Sequence, residues 1–325
     1  MKLRIGLFVL FLLIFSGLTI SQDEFVLQEG TVVVPVDGER AKELFTTEDD
    51  YTAILSRFDL MSKTGSKSDS VTLADYFSRA VKTIKPWTDD DKKGLKKVVE
   101  SVKKKIKELG LKLKMPARIE VISSDMTNEG GANGYTRGNY IILRNDMIEG
   151  TSGSYESTFI HELFHILSRY DPAMSEKVYN IIGFKKCNEV SYPPEIADLR
   201  ISNPDAPFNN FYITVKHNDK PVDVMLILFS GRQYSGGNFF GYIQIGLLAV
   251  EGDESNKKVV YQNGKPLILK FKEVKDFYEQ TGRNTDYNFH AEELSADHFV
   301  MLVNQQQGLP NPEIIDAMKS VMMAN

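Results

Sequence analysis

The chain has one cysteine, Cys187, so no intramolecular disulfide can staple it. Its fold must rest on an apolar core, with or without a bound metal. A lone thiol outside the metal-type segments described below reads as a buried, inert side chain. Cationic excess is missing too: 39 Lys and Arg against 44 Asp and Glu leave a net charge of −5. Nothing in that balance points to a nucleic-acid partner. Beyond the first 21 residues there is no long apolar run, so no second membrane span is expected. No internal repeat is evident. Histidine is scarce, with five in 325 residues, yet four of the five fall in two short segments.

What is present begins with a targeting pattern. Lys2 and Arg4 form a short basic start, residues 5–15 are almost wholly apolar, and Ser16-Gly17 breaks the run. Thr19-Ile20-Ser21 offers small residues at the −3 and −1 positions, so residues 1–21 read as a signal peptide cleaved before Gln22. The apolar stretch is shorter than the ~20 residues that normally cross a membrane. An uncleaved N-terminal anchor is the alternative. No cysteine follows the run, which argues against a bacterial lipoprotein. The expectation is a secreted or periplasmic protein with no stable membrane span after cleavage. With 42% hydrophobic and 26% charged residues, the remainder is an ordinary globular chain, long enough for one large domain or two medium ones.

Residues 158–169 read TFIHELFHILSR and contain His161-Glu162-Leu163-Phe164-His165, an HExxH arrangement in an apolar, helix-like run. Imidazoles four residues apart on a helix project from one face and can share a metal ion. Glu162, beside the first histidine, can hold a water against that ion. Zn²⁺ so bound lowers the pKa of a coordinated water to about 7. A catalytic zinc site of this type needs three protein ligands. Residues 288–303, NFHAEELSADHFVMLV, form a second amphipathic segment with Glu293 and Asp297 four apart. One carboxylate can bind the metal while the other accepts the outer N–H of a liganding histidine. The plain alternative is a pair of buried amphipathic helices that hold no metal.

HExxH followed by a downstream ExxxD helix resembles the gluzincins, the thermolysin-like clan of zinc metallopeptidases. The resemblance covers about thirty residues in two blocks. It implies His161, His165 and Glu293 as ligands of one Zn²⁺, Glu162 as general base and Asp297 as the group orienting a liganding histidine. The metzincin pattern, which needs a glycine and a third histidine after His165, is not met by Ile166-Leu167-Ser168-Arg169-Tyr170-Asp171. The chain departs from thermolysin in one respect. Glu293 lies 132 residues after His161, so a sizeable insertion separates the ligand segments.

The fold class expected is α+β, with a zincin-like core in which the active-site helix packs on a small mixed sheet. Residues 22–87 form an N-terminal region, with a short edge strand at 31–36 on account of Pro35. A helix is expected at 46–61, starting near Glu48-Asp49-Asp50, then a polar loop at 64–70. The catalytic domain runs from 88 to 325. Thr88 with Asp89-Asp90-Asp91 is a good helix start. The ten lysines of residues 92–114 alternate with Leu95, Val98, Val99, Val102, Ile106 and Leu109, as on an amphipathic helix ending at Gly110. A strand at 118–122, a mobile glycine-rich loop at 129–139 and a strand at 140–144 precede the HExxH helix. Residues 140–143 are the strand expected to lie nearest the metal and to take an extended peptide along its edge. The insertion, at about 171–286, reads as a β-rich unit of up to five antiparallel strands near 211–217, 222–229, 242–250, 259–261 and 267–271. A last amphipathic helix spans 312–323.

Hydrolysis by a zinc-bound water that Glu162 activates would need a second donor for the developing oxyanion. Candidates are His290, His298, Tyr287, Tyr135 and Arg137. His290 either faces the metal or caps the helix of Glu293. His298 either lies at the surface or lines the pocket wall. The function expected is that of a secreted zinc metallopeptidase acting on a peptide or protein substrate. The alternative is a catalytically silent, zinc-containing binding protein that uses the β-rich insertion.

Overall fold

The computed structural model describes residues 23–148 and 153–324. The expected signal peptide lies outside the described residues. Two sheets organise the chain, and the architecture is mixed α+β. The first sheet contains β1 (Phe25–Gln28), β2 (Thr31–Val36), β3 (Ile84–Lys85), β4 (Arg118–Ser124), β5 (Gly134–Arg137) and β6 (Tyr140–Arg144). Their order is β1-β2-β4-β6-β5, with β3 extending the pairing along β4. The β2-β4 and β4-β6 pairs are parallel, and β5 returns antiparallel to β6.

Alternation along these strands divides the core. Val33, Ile119, Val121, Ile141 and Leu143 point to one face, beneath the long lysine-rich helix and the HExxH helix. Val34, Val36, Ile122, Tyr140 and Ile142 point to the other face, under the short helices of the N-terminal region. Residues before Trp87 therefore belong to the same sheet as residues after it. The lysine-rich helix, Asp89–Leu109, forms as its spacing predicts. Thr88 and Asp91 make a reciprocal capping box, Gly110 ends it at φ 68°, and the six apolar positions are the buried ones.

Several local expectations are corrected. Residues 31–36 are not an edge strand, because β2 lies between β1 and β4. Pro35 is tolerated because β1 pairs only with residues 31–33, so β2 has one paired side at the proline. No single helix spans 46–61. Asp49 and Ser56 each form capping boxes, with Thr52 and Asp59, and start the separate helices Asp50–Ala53 and Arg57–Thr64. The acidic cluster supplies a cap where a first turn was expected. The glycine-rich stretch 129–139 is not all loop: it contains β5. That strand takes the free edge, and Tyr140–Arg144 becomes interior, flanked by β4 and β5.

The second sheet holds β7 (Phe184–Lys186), β8 (Phe211–His217), β9 (Lys220–Ser230), β10 (Ile243–Glu251) and β11 (Lys258–Val259). After the small hairpin of β12 (Tyr261–Gln262) and β13 (Lys265–Pro266), β14 (Ile268–Leu269) and β15 (Val274–Lys275) complete it. All its pairings are antiparallel. The order β11-β10-β9-β8-β15, with β14 on β10 and β7 on β8, makes seven strands where up to five were expected. The two additional strands, β7 and β15, are three and two residues long, too short to show an alternating pattern in sequence. Asn218 and Asp219, at φ 50° and 60°, turn β8 into β9. Among the described residues, no helix is long and apolar enough to cross a membrane.

Candidate metal centre

Two helices bring the sequence motifs together. Gly153–Tyr170 carries His161, Glu162 and His165, and Ala291–Val303 carries Glu292, Glu293 and Asp297. They pack through apolar contacts that include Phe164 and Phe299, whose ring centres are 5.7 Å apart. His161 Nε2 lies 3.1 Å from Glu293 Oε2, and His165 Nε2 lies 3.9 Å from the same oxygen. The outer nitrogens turn to other carboxylates. His161 Nδ1 is 3.1 Å from Asp297 Oδ1, and His165 Nδ1 is 2.8 Å from Glu292 Oε1. An Nδ1–H donated to each carboxylate leaves both Nε2 lone pairs facing one point, together with an anionic oxygen.

That arrangement fits a cation. His165 is fully buried, and its Nε2 has no hydrogen-bond partner. An orphaned buried imidazole nitrogen is costly unless something is bound there. The three ligand atoms of His161, His165 and Glu293 all lie within 4.8 Å of one another. Two imidazoles and one carboxylate suit Zn²⁺. In the chain without metal, burial opposes charge on His161, but Asp297 and Glu293 hold its pKa well above the ordinary histidine value. Burial alone would raise Glu293, yet the paired histidines bring it down to about 2.

Glu162 sits between this cluster and the edge strand. Burial raises its carboxyl to about 7, a rise resisted by His161 and by a hydrogen bond from Thr136. Thr136 Oγ1 donates to Glu162 Oε2 at 2.8 Å. Gly134 provides the space: a Cβ there would stand 2.8 Å from Glu162 Oε1. A cleft of about 530 Å³ opens here, lined by residues 131–134 together with His161, Glu162, Phe240, Tyr287 and Asp297.

Of the five oxyanion candidates, Tyr287 is the one on this cleft, its ring 5.9 Å from that of His161. Tyr135 and Arg137 are on β5, but alternation sends them to the sheet face opposite Thr136. Tyr135 joins the core under the N-terminal helices. Arg137 donates to Asp49 Oδ2 (2.7 Å) and Thr47 O (2.9 Å). His290 is the N-cap of its helix, its Nδ1 accepting from the Glu292 N–H at 3.1 Å. His298 is neither at the surface nor on the cleft; it is fully buried, and burial lowers its pKa to about 4.

Other residues at the centre escaped the sequence reading. Glu292 also accepts from Ser168 and from the Tyr179 hydroxyl, a network that fixes its carboxylate against His165. Its only signal was its place beside Glu293. Asn203 donates to Glu293, Thr285 donates to Asp297, and Asp205 approaches His165. These three lie in loops with no ligand-type spacing. Cys187 lies between residues of the second sheet, its thiol raised to about 11 chiefly by burial. Comparison with known proteins finds no matching family model, no matching curated protein and no matching solved structure.

Proposed function

We propose that this chain is a zinc-dependent metallopeptidase of the gluzincin type, with a zincin-like core formed by the first sheet and the two ligand helices. His161, His165 and Glu293 would hold one Zn²⁺. The observation that carries this reading is the orphaned Nε2 of His165, which shares Glu293 Oε2 with Nε2 of His161. Zinc bound there supplies Lewis acidity toward a peptide carbonyl and a water acidic enough to react near neutral pH.

The chain's own residues do the rest. Glu162, held by Thr136 and raised toward neutrality, takes a proton from the attacking water and passes it to the departing amine. With zinc bound, Asp297 and Glu292 would each accept an Nδ1–H and orient the imidazoles so that Nε2 is free for the ion. Tyr287, on the cleft beside His161, is the hydroxyl placed to donate to the carbonyl oxygen as it gains charge. An extended peptide would lie along the Gly134 end of β5, where the cleft opens. The protein would act on peptide or protein substrates outside the cytoplasm, after export through residues 1–21.

The test combines metal analysis with catalysis. Purified protein should carry about one zinc per chain and cleave an unfolded protein substrate, and chelation should abolish cleavage. Glu162→Gln should keep the zinc and lose at least about 100-fold in rate, the low end of general base catalysis. Full zinc occupancy with no cleavage across a diverse peptide library would overturn the enzymatic reading and leave a metal-organised binding protein.

A further inference from the structure

The segment Asn203-Pro204-Asp205, just before β8, crosses from the second sheet onto the metal centre. Asp205 Oδ1 accepts the backbone N–H of Thr136 on the free edge of β5, at 2.6 Å. The same oxygen lies 3.9 Å from His165 Nε2, the orphaned nitrogen. Glu293 stands at the same distance from that nitrogen. A cation seated on Nε2 is thus within reach of either carboxylate. Ligand atoms of Glu162, His165 and Asp205 also fall within 4.8 Å of one another, so Asp205 occupies the Glu162 side of the centre.

The segment is strapped in place. Arg169 Nη2 donates to the carbonyls of Pro204 and Asp205, both at 2.9 Å, and to that of Thr136 at 3.2 Å. Asn203 links the strap to Glu293 and accepts the Asp205 N–H at 3.0 Å. Behind it, Ile201 donates to Leu228 on β9, and the Ser202 N–H donates to the Asp59 carboxylate. Asp205 is buried beside Glu162 and Glu293, a crowding that Arg169 offsets in part and that a bound cation would relieve further.

Resting on the metal centre proposed above, we infer that Asp205 swings onto the ion as a fourth protein ligand and takes the position that a reacting water requires. The resting centre is then closed, with His161, His165, Glu293 and Asp205 as its donors. A peptide gains the metal and the outer N–H of Thr136 only when this carboxylate withdraws. Hydrolysis by the wild-type chain is correspondingly slower than the bare three-ligand site would allow.

The experiment measures metal affinity against a chromophoric chelator and azide binding to the Co²⁺-substituted protein. Wild type, Asp205→Asn and Asp205→Ala are compared. Asparagine keeps an acceptor for Thr136 and preserves the strap, but it removes the anionic oxygen. Both variants should bind metal more weakly, by at least the roughly 10–100-fold that a lost supporting contact costs. Both should show azide-dependent changes in the Co²⁺ spectrum that the wild type lacks. Equal affinities and equal azide responses in all three proteins would overturn the assignment while leaving the three-ligand reading intact. A change confined to Asp205→Ala would also overturn it, because Asp205 would then act through the strap and not as a ligand. A wild-type chain that binds no metal at all would remove both readings together.

Discussion

At the scale of single residues, the centre is defined by which nitrogen faces which oxygen. HExxH spacing was legible because a helix places residues i and i+4 on one face, and this holds before any tertiary contact forms. Glu292 was not legible: two adjacent glutamates look alike in sequence, and only packing decides that Glu293 meets both Nε2 atoms while Glu292 takes Nδ1 of His165. Tyr135 and Arg137 failed as oxyanion donors for a related reason. Whether a strand residue faces the site depends on register, and one position changes the face. Burial gives Glu162 a testable signature in the metal-free chain. Its folded pKa is raised from 4.5 to about 7, so the folded state holds this proton more tightly than the unfolded state does. That contribution to stability is complete below the unfolded value and is lost as pH rises through about 7. Chelator-treated wild type should therefore show a melting temperature that declines between about pH 5 and 8, and Glu162→Gln should show a smaller decline. Parallel curves for the two proteins would contradict this account.

At the scale of elements, helix starts and amphipathic faces were readable, whereas strand roles were not. The Thr88 cap, the six buried positions of Asp89–Leu109 and the Gly110 stop all follow from local chemistry. The break at Ser56 follows equally from a capping box, but the apolar residues around it masked the signal. Edge status is a property of the sheet, so Gly134–Arg137, expected within a loop, takes the edge that was expected of residues 140–143. The helices Gly153–Tyr170 and Ala291–Val303 are held together by residues outside the candidate centre. Phe299 is fully buried and meets Phe164 across their interface. Phe299→Ala should cost about 3–5 kcal/mol in denaturant unfolding through the lost apolar area and the cavity left behind. Because the same interface sets the distance from Glu293 to the histidines, metal affinity should fall as well, as a competition titration would show. Retained affinity despite the lost stability would mean that the centre is positioned by other contacts.

At the scale of the whole molecule, the candidate metal centre lies where the first sheet, the helices Gly153–Tyr170 and Ala291–Val303 and a loop from the second sheet converge. A ligand that binds only this folded arrangement stabilises it by mass action. Zinc at about 100 times its dissociation constant should add roughly 2.7 kcal/mol, seen as a rise of several degrees in melting temperature. Chelation should reverse the rise, and His165→Ala should abolish it; an equal shift in that variant would place the ion elsewhere. The sequence by itself determined the two motif helices, the limits of the lysine-rich helix and the presence of a β-rich stretch between the motifs. Each of those depends on neighbours within one or two turns or on strand-length alternation, so each is written locally. Only the tertiary structure decided that β5 forms the edge, that Arg137 points away, and that Asp205 reaches His165. Those facts depend on pairing and packing between residues tens of positions apart, and no short-range pattern encodes them.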